Sequence, residues 1–387
     1  MKRTLVVYIV CLIALCRSSL LVGQSTLYKV IAKDGFQICI YTKEDARTKR
    51  ADTLCTYTYQ GSKQQLIGVH ARYTKAAGKR TYHGLSNHPN DIRNSLFSQE
   101  IYHSDSIAPF APDYYNPTAD YGLTQWPDWL HWQWFIYPTS CAEGGYFSAL
   151  NTYDPAGFTF GFVQSAAHGS RKDSAFVEYF RQVLATAPGK ELFPDLSLNR
   201  SRDIIETATI RRLVSEDNQN EKLRTYLNPN PYRIDSAEVI NAAKFIHIAT
   251  TDSVNRNIQV KLAILWAKQL MTRYETRWIR RDDSQTQFVP RFSLNGKPYK
   301  FCIAIVDVLH QGRSSYQKMS NDIATSYVAK LNNKATFGEQ EAINSLLQTL
   351  NYPARVTDLK KALRKIEDTK LRCVYDSTTN EWKFEPL

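Results

Sequence analysis

The spacing of apolar residues along the chain changes character near residue 128. From Leu27 to about Tyr73 the apolar positions come in short runs, Tyr28 to Ile31, Phe36 to Tyr41, Cys55 to Tyr59 and Leu66 to Val69, with turn pairs such as Asp34-Gly35 and Gly61-Ser62 between them. Short strands follow from that pattern, so residues 25–73 read as a small β-rich lobe. A supporting role in packing and a wall-binding role are both open to it. Residues 74–127 are rich in Asn, Asp, Pro, Tyr and His and show little periodicity, which predicts a long irregular connection.

Helical spacing then takes over. Trp129, Trp132, Phe135 and Ile136 recur at helical intervals before Pro138, a cluster that reads as core more readily than as a sugar platform. Phe176, Val177, Phe180, Val183 and Leu184 predict an amphipathic helix, and Asn257 to Ile279 a long one that is apolar on more than one face. Phe301 to Leu309 is apolar nearly all round apart from Asp307. Further helices are read at Ile343 to Leu350 and from Thr357 to Ile366, and a terminal hairpin at Leu371 to Tyr375 and Trp382 to Phe384.

The first residues modify this picture. Met-Lys-Arg, an apolar run from Leu5 to Leu15 and small or polar residues through Ser25 have the layout of a secretory signal peptide, assigned to residues 1–24. Export to the periplasm or the outside follows, with lipid attachment at Cys16 as the competing route. The later chain has no apolar stretch of membrane-spanning length. Without the leader the formal charge is +9, which suits an anionic partner such as an envelope polysaccharide, or solubility alone. Cys39, Cys55, Cys141, Cys302 and Cys373 remain. Their odd number in an oxidising compartment requires at least one free thiol.

One strand-like interruption of the helical body, Ser140 to His168, concentrates residues with chemistry. Two glycines directly after Glu143 end the preceding helix, and Pro155 with Gly157 mark a turn between Asn151–Asp154 and Phe158–Val163. A carboxylate at a helix end would face a hairpin bearing a second one, Asp154. Cleaving a glycosidic bond needs a proton donor and a negative charge near the developing oxocarbenium ion, and two acids in different environments supply both. Burial beside an aromatic helix would keep Glu143 protonated, while Asp154 on a polar turn would stay ionised. Asp154 reads equally well as a residue capping its own turn. Asp307 needs a partner if buried, for which Arg273 or Arg277 is available. His168 reads as structural, and Cys141, with no marked His partner, as core or disulfide-forming. Scattered histidines and the lack of a Gly-rich phosphate loop argue against a metal hydrolase or nucleotide enzyme, so neither metal nor cofactor is expected.

At these residues, and more loosely over about residues 129–312, the sequence resembles the lysozyme-like superfamily, in its chitosanase, goose-type lysozyme and phage-endolysin branches. The shared pattern is a helix-terminal Glu, small residues, then Y-D-x-x-G-x-T-x-G-x-x-Q, here Tyr153 and Asp154 through Gly157, Thr159 and Gly161 to Gln164. The resemblance implies an α+β fold whose mainly α-helical lysozyme-like domain spans residues 128–387 and carries a short β-hairpin at the active site. It implies Glu143 as general acid, Asp154 as base and Thr159 positioning the water, with Tyr153, Gly161, Gln164 and Asp307 on the substrate side. The expected activity is that of a glycoside hydrolase on cell-wall polysaccharide, peptidoglycan above cationic chitosan given the basic charge, with no nucleic-acid partner. A lytic transglycosylase using Glu143 alone and a non-catalytic envelope carbohydrate-binding or scaffold protein are the alternatives.

Overall fold

In the computed structural model the described residues are 25–75, 80–101, 110, 128–168, 174–215, 220–277, 293–312, 339–348, 352–366 and 370–387. The expected leader and Cys16 lie outside them, as does most of 102–127. The chain divides into two compact units, Met1–Pro109 with Tyr146–Gln259, and Phe110–Gly145 with Val260–Leu387.

The first unit is built on an eight-stranded antiparallel sheet in chain order. Its strands are β1 (Thr26–Lys33), β2 (Phe36–Glu44), β3 (Ala51–Tyr59), β4 (Gln65–Lys75), β5 (Arg80–Ser86), β6 (Leu150–Asn151), β7 (Thr159–Phe160) and β8 (Ser165–Ala166). The turn Asp34-Gly35 closes β1 on β2 with both residues at positive φ, 50° and 79°, the twist a two-residue hairpin requires. One face of the sheet buries Cys39, Tyr41, Leu54, Leu66 and Val69 with Ile92, Phe97 and Ile101. The other receives the helix Ser236–Thr251, where His247 lies edge-on to Phe36, ring centroids 5.7 Å apart, and Lys244 meets Asp34 at 2.7 Å.

The hairpin of the sequence motif extends this sheet. Ser86 pairs with Asn151, and the Asn87 side chain clamps the neighbouring backbone, donating to Ser148 O at 2.7 Å and accepting from Leu150 N at 2.8 Å. Phe158, Phe160, Phe176, Phe180 and Phe193 surround Phe245 at centroid distances of 5.0 to 5.6 Å. Each such pair adds about 0.5–1.5 kcal/mol beyond its buried area, so the hairpin is anchored by packing as well as by its ladder. A three-stranded sheet, β9 (Leu196–Leu198), β10 (Ile204–Glu206) and β11 (Arg211–Arg212), completes the strands of this unit.

The second unit is mainly helical. It holds the helices Trp129–Ala142, Tyr299–Gln311, Glu339–Gln348 and Pro353–Lys365 and the part of Ser253–Arg277 from Val260 onward, with a sheet of β12 (Lys297–Pro298), β13 (Leu371–Asp376) and β14 (Glu381–Pro386). Trp132, Phe135, Tyr299 and Phe384 form its aromatic core, with Trp132 to Phe384 at 4.6 Å and Tyr299 to Phe384 at 5.0 Å. The Trp129–Ile136 cluster is thus core at Trp132, Phe135 and Ile136.

The expected fold class is overturned. A mainly helical lysozyme-like domain over 128–387 behind a separate β lobe does not describe the chain: the motif hairpin belongs to the N-terminal sheet, and residues of both sequence regions alternate between the units. The expected connection 74–127 also begins as structure, with the end of β4, all of β5 and the helix Pro89–Asn94. Its strand was masked by composition, because Arg80–Ser86 has one large aliphatic residue, Leu85, and is held by the strands on either side.

Candidate functional site

Glu143 stands where the helix Trp129–Ala142 unwinds. Gly144 and Gly145 take φ of 105° and 74°, and Gly145 N donates to Ser140 O at 2.8 Å, which closes the last turn. The released carboxylate lies within the second unit against two other helices. Oε1 accepts from Arg355 Nη1 at 2.6 Å and lies 3.5 Å from His310 Nε2. Arg355 is the third residue of Pro353–Lys365 and turns its remaining nitrogens to Asp307, Nη2 to Oδ1 at 2.6 Å and Nε to Oδ2 at 3.1 Å. Asp307 and His310 are three residues apart on the helix Tyr299–Gln311, so they share a face. Trp266 Nε1 donates to His310 Nδ1 at 3.3 Å, which places the proton of a neutral imidazole on Nε2, toward Glu143.

Arg355 therefore serves two carboxylates. Asp307 and Arg355 are 0% and 2% exposed, whereas the Glu143 side chain is 17% exposed and is the solvent-facing end of the chain of contacts. Burial pushes the Glu143 carboxyl up, but the His310 hydrogen bond and the Arg355 charge outweigh it and hold the group at about 2. Glu143 is thus a carboxylate at neutral pH. The expectation of a protonated Glu143 fails because sequence showed the burial and not the cation.

The motif hairpin lies in the first unit and has other partners. Asp154 Oδ1 accepts from Ala156 N at 2.8 Å, Oδ2 from Asn151 Nδ2 at 3.2 Å, and its carbonyl from Gly157 N at 2.9 Å. It caps its own turn. Burial raises its pKa above the ordinary carboxylate value, and hydrogen bonds from Ala156, Gly157 and Asn151 oppose that shift. Tyr153 donates to Asp91 Oδ2 at 3.3 Å. The Thr159 hydroxyl is buried with no hydrogen-bond partner among the described residues. Gly161, at φ 88°, would place a Cβ 2.6 Å from Gln259 Oε1. The close approach there is to the amide of Gln259, which also meets Phe162 N and Phe147 O, and not to an open groove. Gln164, at φ 49°, turns its amide back to Gly161 O at 3.2 Å. His168 lies 3.8 Å from Glu221. The two acids of the sequence reading belong to different units.

Arg355, His310 and Trp266 escaped the sequence reading. His310 had a usable signal, its three-residue spacing from Asp307 on an otherwise apolar helix. Arg355 had none, since 212 residues separate it from Glu143. A further hidden group is Glu238, fully buried in the first unit and accepting from the Thr152 hydroxyl and from Asp235 N, the latter at 3.1 Å. Burial raises it to about 8, against those bonds. Among the described residues no three His, Cys, Asp or Glu side chains converge to hold a metal ion, and no helix is long and apolar enough to cross a membrane. No family model, no curated protein and no solved structure matches this chain.

Proposed function

We propose that the chain is an exported glycoside hydrolase acting on a cell-envelope polysaccharide, peptidoglycan in the first place, with Glu143 working as an ionised carboxylate. The observation that carries this is the charge arrangement at Glu143. An incidental surface glutamate is not held by an arginine that is itself 2% exposed, nor does it lie beside a histidine whose other ring nitrogen accepts from a tryptophan. A fixed negative charge there is suited to stabilising a developing oxocarbenium ion. His310, its Nε2 proton directed at Glu143, is the neighbouring group able to pass a proton on. The resemblance of residues 140–168 to lysozyme-like catalytic segments and the basic mature chain support a glycan substrate. Glu143 as a lone proton donor, the transglycosylase variant, is disfavoured by a carboxyl held at about 2.

A second reading is a non-catalytic envelope carbohydrate-binding or scaffold protein. The two-point Arg355–Asp307 pair favours it, since that is also how a structural buried ion pair is made. Incubating purified protein with peptidoglycan sacculi and counting new reducing ends separates the two. The hydrolase reading expects release by the wild type, loss in Glu143→Gln assayed well below that variant's melting temperature, and addition of water in the product masses. No release from sacculi between pH 4 and 8, or equal release by Glu143→Gln, would end it.

A further inference from the structure

A face of the first unit carries side chains that packing does not explain. The β4–β5 register sets Tyr73 opposite Tyr82 and Lys75 opposite Arg80, and the strand period of two puts all four on one side of the hairpin. Tyr232, just ahead of the helix Ser236–Thr251, adds a third ring. Centroids are 6.4 Å apart for Tyr73 and Tyr82 and 5.7 Å for Tyr82 and Tyr232, with planes only 34° and 26° apart. These rings are surface, with Tyr73 44% and Tyr232 51% exposed.

The charges that β4 and β5 themselves contribute are of one sign. β4 and β5 contain no acidic residue, and neither Lys75 nor Arg80 makes an ion pair among the described residues. Like charges directly opposite on a sheet cost stability, and Arg233 adds a further exposed cation beside Tyr232. Exposed near-parallel phenols with unneutralised cations at their border match a ligand with flat apolar faces and negative groups. The axial C–H face of a pyranose stacks on such rings, and sugar hydroxyls bond to the phenol oxygens. Single-stranded nucleic acid also stacks on aromatics, but its binders thread the backbone along a charged groove, and here the rings sit on an open strand face.

We propose that this face binds an anionic polysaccharide, with pyranose rings stacked on Tyr73, Tyr82 and Tyr232 and sugar carboxylates at Lys75 and Arg80. The site goes beyond the hydrolase reading and needs no turnover at Glu143, since every residue in it belongs to the first unit.

The test is affinity electrophoresis of the full chain carrying Glu143→Gln, through gels containing alginate, a polyuronate, or neutral dextran, with fluorescent oligothymidylate as a third probe. Retardation by alginate in excess of dextran is expected. Tyr73→Ala with Tyr232→Ala should weaken it about tenfold, and Tyr232→Phe should keep most of it. Lys75→Gln with Arg80→Gln should weaken alginate binding and flatten its salt dependence, while the melting temperature stays at or slightly above the parent value as the opposed like charges are removed. Absence of alginate retardation in the parent, parent-like retardation in both double variants, or tighter oligothymidylate binding lost in the same variants would each overturn the proposal. Glycan release by the wild type is read separately, so either proposal fails without the other.

Discussion

Arg355 grips Asp307 at two points, 2.6 and 3.1 Å, with both side chains almost wholly withdrawn from solvent. Removing the arginine alone would strand a buried carboxylate and leave Glu143 uncompensated. Arg355→Met should therefore lower unfolding free energy by roughly 3–5 kcal/mol, measured by urea denaturation. Adding Asp307→Leu should restore much of that loss. A single variant as stable as wild type would show that the pair carries no such burden.

Glu143 and Glu238 should tilt stability in opposite directions with pH. Glu143, ordinarily at 4.5 and held at about 2, contributes stability that is present above pH 4.5 and lost as pH falls toward 2. Glu238, raised by burial to about 8, contributes stability that is present below pH 4.5 and lost as pH rises through 8. Melting curves from pH 2.5 to 9 should show Glu238→Gln flattening the neutral and alkaline side, and Glu143→Gln the acid side. Curves parallel to wild type throughout would contradict both assignments.

Gly161 is fixed twice, by its φ of 88° and by Gln259 Oε1 at 2.6 Å from the place of a Cβ. Gly161→Ala should cost about 1–3 kcal/mol in thermal or urea unfolding. Shortening the neighbour in a Gly161→Ala, Gln259→Ala double variant should relieve the steric part and leave the backbone part, so the two changes will not add.

Cys55, Cys302 and Cys373 are free and buried, and Cys141 is free and partly accessible. Burial raises Cys55, Cys141 and Cys373 above the ordinary thiol value, which suppresses the reactive thiolate. Peptide mapping after a short alkylation of native protein should find Cys141 labelled first of these four, and all four labelled in denaturant. Rapid native labelling of Cys55 or Cys302 would contradict the packing around them.

Much of the local structure was legible and most of the long-range pairing was not. The helices at Phe176–Leu184 and Asn257–Ile279, the end of a helix at Gly144, the Pro155–Gly157 turn and the terminal hairpin all followed from periodicity and turn chemistry, and they are found in Ala175–Ala185, Ser253–Arg277, the Glu143 cap, the Asp154 turn and β13–β14, with residues 278 and 279 outside the described residues. The pairing of Ser86 with Asn151 has no local signal, since each strand there is short and takes its register from its neighbour. The same blindness affected the acids. Asp307 was given Arg273 or Arg277, whereas its partner is Arg355, and the ionisation of Glu143 was inferred from burial without the cation beside it.

The interleaving of the two units along the chain constrains how the protein can be made. The sheet of the first unit takes β1–β5 before residue 109 and β6–β8 after 146, with the Phe245 hub later still. During synthesis the growing chain must therefore carry five strands with an unfilled edge past the ribosome exit while residues of the other unit emerge. That interval exposes a strand edge to association, and it favours expression at low temperature or with chaperone help. It also means that cutting the gene at residue 128 would yield two halves of a sheet, not two proteins.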